Sequence, residues 1–151
     1  MPVAADAVSL NEEQRALIDS IVSSLPIVAD LSRSDMILYR ALAGDRAVVV
    51  MHAQPHSVSS VHPENLAGHI VTRRDFPLLA RALAGQAGSG SGSRGHPDEP
   101  VLRQLWPVRD SRQNVIAALC METTFVETQR HNKRSPVFRE ALQNLHELVL
   151  S

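Results

Sequence analysis

Four histidines, His52, His56, His62 and His69, lie close together in the chain. Imidazole is a common metal and haem ligand, so a metal or haem centre is the sharpest chemistry on offer. The spacing matches no established closed site, and no carboxylate or thiolate cluster accompanies it. His52 ends an apolar run, while His56 and His62 sit among Pro and Ser residues. Ordinary loop polarity is the plainer reading, and no metal is assigned. Redox chemistry has one candidate, Cys120. A single cysteine excludes an internal disulfide and a two-cysteine mechanism. It stands inside an apolar stretch, where a thiol behaves as a small buried hydrophobe; a sensing thiol needs exposure and a lowered pKa.

Arg73, Arg74, Arg81, Arg103 and Arg109 could face an anionic ligand such as a nucleotide, although most arginines of this kind are solvated. The chain has one tyrosine and one tryptophan. Tyr39 and Trp106 could line a pocket over a sheet or serve as core or dimer residues. The candidate ligand set is therefore Tyr39, His52, Arg103 and Trp106, with no cofactor assigned. No Ser–His–Asp or paired-carboxylate spacing stands out. Asp30 and Asp35 flank a turn and read as caps, Asp98 and Glu99 border a Gly/Ser run, and residues 129–134 form a basic loop. The chain by itself is read as non-enzymatic.

The elements that would position these residues follow from periodicity. Ser9 and Glu12 have the spacing of a capping box. Leu17, Ile18, Ile21, Val22 and Leu25 then share one stripe of a helix over 10–25. Pro26 removes a donor and crowds the preceding turn, so it should end or kink that helix, with a further turn over Ile27 to Leu31. Residues 36–42 and 47–53 read as an antiparallel hairpin around Gly44. The Val48-Val49-Val50 run suggests burial on both faces and a central position. A long loop follows over 54–65, then a short strand near His69 to Val71. Asp75 is the expected cap of a helix reaching Ala84, closed by Gly85.

Residues 86–99 carry the run Gly88 to Ser93, a flexible-linker composition. It is either a replacement for a longer loop or a mobile loop of the chain's own. A second hairpin occupies 100–121, turning at 110–114 with Asn114 suited to a left-handed position. Its second strand, from Val115, is apolar on both faces and therefore central. Ser135 and Pro136 open a last helix over 135–150, with Phe138, Leu142, Leu145 and Val149 on one stripe.

The totals agree with one domain, residues 10–150. A chain of 151 residues can bury a core without staples. Aromatics are 3%, so that core is aliphatic. The net charge of −1 does not suggest a nucleic acid or an anionic membrane as partner. No apolar run approaches the ~20 residues of a membrane span, and residues 1–10 lack the order of a signal peptide. The expected location is cytoplasmic. The expected class is α+β, with a central, largely antiparallel sheet flanked by N- and C-terminal helices.

Three stretches carry a family resemblance: LPIVADLSRSDMILYRAL (25–42), AGHIVTRRDFPLLARALAGQ (67–86) and PVLRQLWPVRDSRQNVIAAL (100–119). Through them the chain resembles the GAF-like N-terminal sensor domain of bacterial two-component histidine kinases, over most of residues 20–126. The resemblance implies a GAF/PAS-like fold and a full-length parent with a PAS domain and a kinase core. The parent's phospho-accepting histidine box and ATP-binding domain are not in this chain. The Gly/Ser run is no nucleotide loop, since no strand, lysine or helix start surrounds it. The implied role is sensory or regulatory: a ligand or partner signal passes through the terminal helices of a homodimer, with Leu17, Ile21, Phe138, Leu142 and Leu145 as dimer and signalling residues. The alternative is a stand-alone small-molecule- or metal-binding GAF-like protein.

Overall fold

The computed structural model describes residues 9–92 and 101–124. The helix expected over 135–150, with Phe138, Leu142 and Leu145, lies outside them, as do Asp98, Glu99 and the basic loop at 129–134.

The first helix, α1 (Glu12–Ser32), has 21 residues. Its capping box is two residues later than the Ser9/Glu12 spacing suggests. Asn11 accepts from the Gln14 N–H at 2.8 Å, and the Gln14 side chain accepts from the Asn11 N–H at 2.9 Å. Leu10 packs against the core just before the cap, which sets this register. The helix also runs through Pro26. The proline lies on the exposed side, while Leu25 and Ala29 are both fully buried against the sheet. Packing on either side outweighs the one donor that Pro26 lacks. The helix ends at Arg33, whose φ of 51° places it in the left-handed region.

Strands β1 (Asp35–Ala41), β2 (Arg46–Ala53), β3 (Ile70–Thr72), β4 (Gly88–Gly92), β5 (Val101–Arg109) and β6 (Val115–Thr124) form one sheet. Their order is β3-β2-β1-β6-β5-β4, and every neighbouring pair is antiparallel. β1 and β6 are central, as the double-sided apolarity of β6 requires. β2 is interior too, between β1 and β3, although β3 covers only three of its residues. A bulge shifts the register from Leu38↔Met51 to Tyr39↔Val49. Val50 is the extra residue and is 38% exposed, while Val48 and Val49, on opposite faces, are both buried, so the valine run is buried on both faces only up to the bulge.

α1 packs Ile18, Ile21, Leu25 and Ala29 on one face of the sheet, against Met36, Leu38, Leu119 and Met121. The second helix, α2 (Pro77–Leu83), contributes Leu79 and Ala82 to the other face. There Phe76 joins it over Ile37, Tyr39, Leu105, Ala118 and Cys120. The alternation of each strand feeds both layers, giving an α+β domain. Asp75 does not cap α2. It ends a 3-10 turn at Arg73–Asp75, and the helix starts at Pro77, whose missing N–H is no loss at a first position.

The Gly/Ser run holds a strand where composition suggests a flexible loop. β4 pairs with β5 through its backbone, Gly88↔Leu105 to Gly92↔Val101. Its glycines admit α2: a Cβ at Gly88 or Gly90 would stand 3.2 or 3.1 Å from the Leu78 side chain. In the 110–114 turn the left-handed residue is Gln113 (φ 70°) and not Asn114. Asn114 is tied down by Asp110, whose carboxylate accepts its backbone N–H at 2.8 Å and its side-chain amide at 3.2 Å.

Candidate functional site

The antiparallel register lays charged residues side by side. Asp35 of β1 is the cross-strand partner of Glu122 of β6, and Glu122 that of Arg103 of β5. All three sit at positions whose parity points toward the α2 face. A strand end normally presents charge to water, yet Asp35 is fully buried, Glu122 nearly so, and Arg103 is 8% exposed. Buried charge is tolerated only when paired and hydrogen-bonded, and each group here is held by named partners.

The segment after β2, residues 54–66, crosses this row as a strap. Asp35 receives it at two points: its Oδ2 accepts from Ser60 Oγ at 2.5 Å and its Oδ1 from the Val61 N–H at 2.8 Å. His52 lies beneath. Its Nδ1 accepts from the Leu66 N–H at 2.9 Å, so its Nε2 carries the proton donated to Asp35 Oδ2 at 2.6 Å. The imidazole is thus neutral. Asn65 ties the far end of the strap to the His52 carbonyl at 2.8 Å. The near end is held by α1, where Asp30 accepts from the His56 N–H at 2.5 Å and from Ser57 Oγ through its carbonyl at 3.1 Å. The His56 N–H, foremost, holds the Asp30 carboxyl below its ordinary value.

Glu122 is gripped from two sides. His62 Nε2 of the strap stands 2.6 Å from Oε1, and Arg103 Nε donates to Oε2 at 2.5 Å. Burial pushes the Glu122 carboxyl up, but the hydrogen bonds and charges of His62 and Arg103 outweigh it and hold the group below the usual glutamate value. The Arg103 guanidinium also lies over the Phe76 ring, 5.7 Å from its centroid. The His52 and His62 rings meet edge to face at 5.4 Å. Arg103 Nη2 is buried and has no hydrogen-bond partner among the described residues.

The four residues singled out from sequence are only partly brought together. His52 and Arg103 belong to this cluster, joined through Asp35, His62 and Glu122. Tyr39 shares the sheet face but lies farther along β1, packed edge to face on Phe76 at 5.9 Å. Trp106 is on the opposite face, against the α1 core. Of the four clustered histidines, His52 and His62 converge, whereas His56 and His69 are exposed. Among the described residues no group of three or more His, Cys, Asp or Glu side chains is placed to hold a metal. Arg103 is the one buried member of the five arginines considered, and Cys120 is a core residue. Sequence reasoning weighs His62 only as a metal ligand or a loop residue, reads Asp35 as a cap, and passes over Ser60 and Glu122. Parity held a signal: Asp35 shares that of Ile37 and Tyr39, and Glu122 that of Cys120.

A hollow of about 210 Å³ lies at the opposite end of the sheet between Leu10, Gln14, Arg40, Asn114, Val115 and Ile116. It contains none of the cluster's residues.

The chain matches the family described as the GAF domain of histidine kinase PdtaS over residues 2–142. No curated protein matches it significantly. Among solved structures it is similar to the sensor region of a sensor histidine kinase, with a TM-score of 0.67 and 19% identity over 98% of this chain and 51% of that one. The chain thus spans about half of that sensor region. An IclR transcriptional regulator from Alicyclobacillus acidocaldarius follows, with a TM-score of 0.54 and 14% identity over 99% of this chain and 70% of that one. A putative IclR-family regulator from Rhodococcus sp. aligns with a TM-score of 0.57 and 14% identity, over 98% and 65%. At these identities the structures share the fold alone. No helix among the described residues is long and apolar enough to cross a membrane.

Proposed function

Since the chain belongs to the GAF-domain family of histidine kinase PdtaS, we propose that it is the sensory unit of a larger two-component kinase, relaying a ligand or partner signal through its terminal segments. One observation carries the relay. The buried cluster joins the start of β1, directly after α1, to the last residues of β6, from which the chain continues toward its C-terminus. A change in the strap reaches both segments at once. Such a domain works by shifting populations between two arrangements. The reaction belongs to a kinase core in the parent, and the chain contributes control.

The test is made in that parent. Its reading frame is expected to continue into a kinase core, and Ser60→Ala, which loosens the strap from Asp35, is expected to change the autophosphorylation rate. A reading frame without a kinase core, or a rate indifferent to the substitution, defeats the proposal.

Pairing with a second copy through α1 is part of the same reading, with different residues from those read in the sequence. Ile21 is fully buried against the sheet, and Leu17, partly buried, packs beside that core, so the more exposed apolar residues of α1 are the better seam. The outward apolar residues are Ile27, 65% exposed, and Leu31, 48% exposed. One helical turn apart, they share a face. The double variant Ile27→Glu/Leu31→Glu is expected to convert a dimer into a monomer, measured by light scattering on a sizing column, with little change in melting temperature. An unchanged mass counts against α1 as the seam.

A further inference from the structure

The geometry points to Glu122 as the shared half of a two-state latch, its Oε1 exchanging between His62 of the strap and the unpaired Nη2 of Arg103. On an arginine, Nε–H and one N–H of Nη2 project side by side and can grip both oxygens of a carboxylate as a fork. Here half of that fork is made. Nε holds Oε2 at 2.5 Å, while Nη2 is buried with nothing to donate to. The oxygen that would complete the fork, Oε1, is taken by His62 Nε2 at 2.6 Å. His62 and Nη2 compete for one acceptor.

A buried donor without a partner is costly, and native structures carry few of them. In the closed arrangement that cost is borne by Nη2. When the strap lifts and His62 enters water, Oε1 can turn onto Nη2 and the fork closes. Neither arrangement leaves the Glu122 charge unpaired. Opening the strap is therefore easier than removing a lone partner from a buried carboxylate, which is what a bistable element requires. The surroundings favour exchange over collapse. The Phe76 face holds the guanidinium. Gly90, opposite Arg103 on β4, adds no side chain there. Asp35 keeps His52 beneath the strap and offers Ser60 and Val61 their seats on return. Among the described residues, the charged and titratable groups around Glu122 are thus Asp35, His52, His62 and Arg103. That the latch carries the signal rests on the sensory reading above; the exchange is a property of this chain alone.

The experiment uses the 151-residue chain with ¹⁵N-labelled arginine, and reads the Arg103 side-chain signals and amide exchange across residues 54–66. In the wild-type chain the Arg103 Nε proton is expected to be protected and the Nη2 protons not. In His62→Phe the Nη2 protons become protected too, and strap amides exchange about tenfold faster or more, the scale of one lost hydrogen bond. His62→Asn gives the same reading should the phenylalanine variant fail to fold. Arg103→Lys keeps a charge for Glu122 but has no fork, so its strap is expected to exchange more slowly than wild type. Nη2 protons that stay unprotected in both His62 variants overturn the latch, as does faster or unchanged strap exchange in Arg103→Lys. An intact exchange with an unresponsive parent kinase overturns the sensory reading and leaves the latch; a responsive kinase without the exchange does the reverse.

Discussion

Glu122→Ala is expected to cost about 3–5 kcal/mol of folding stability, the range for breaking a buried ion pair from one side. The substitution strands Arg103 Nε beneath the strap and His62 Nε2 within it. Glu122→Gln keeps the shape and separates charge from packing. The two variants also differ from wild type in pH dependence. The Glu122 carboxyl is held below its ordinary value in the folded chain. A depressed carboxyl contributes stability that is fully present above the unfolded value and disappears as pH falls through the folded one. Wild type should therefore lose this contribution as pH falls below the ordinary glutamate value of 4.5, and Glu122→Gln should lack that component of the slope. Urea unfolding from pH 7 downward measures both. A loss under about 1 kcal/mol for the alanine variant, no more than a surface ion pair yields, would show that the cluster holds little together.

Asp35→Ala is expected to be similarly severe for a different reason. Asp35 collects three donors, from His52, Ser60 and Val61, and lies fully buried at the first position of β1. The His52 Nε2–H and the Val61 N–H are left inside without an acceptor, at about 1–3 kcal/mol each, so a loss of about 2–6 kcal/mol is expected. The Ser60 hydroxyl can turn to water. Unlike Glu122→Ala, this variant should also free the strap near Val61, visible as faster amide exchange there. Equilibrium unfolding with exchange at Val61 checks both. A stable variant with a protected Val61 amide would mean that the strap is held by other contacts.

The hairpins and both central strands were legible because their alternation is a local property of the chain. α1 was harder. Pro26 was judged on its missing donor, but the outcome depended on Leu25 and Ala29, whose burial needs the sheet. β4 could not be read from side chains at all, since a Gly/Ser strand has no apolar pattern and gains its structure from backbone pairing with β5. In the site, Arg103 and His52, both singled out from the sequence, lie in the buried cluster. Asp35 reads as a cap and Glu122 is passed over, because charge at a strand end ordinarily faces water. Trp106 was grouped with Arg103 although three residues separate them on one strand, which places them on opposite faces.

The period of two in β4 has a further consequence. Sliding the strand by two residues would put Gly90 where Gly88 stands and Gly92 where Gly90 stands, so both positions against Leu78 would still be glycine. Most strands resist sliding because their buried side chains would lose their places. This one has none to misplace, so its alignment is degenerate and is chosen by what flanks it. The border of the domain at β4 is thus aligned by backbone pairing, while the charged row beside it is held at a fixed address by its side chains.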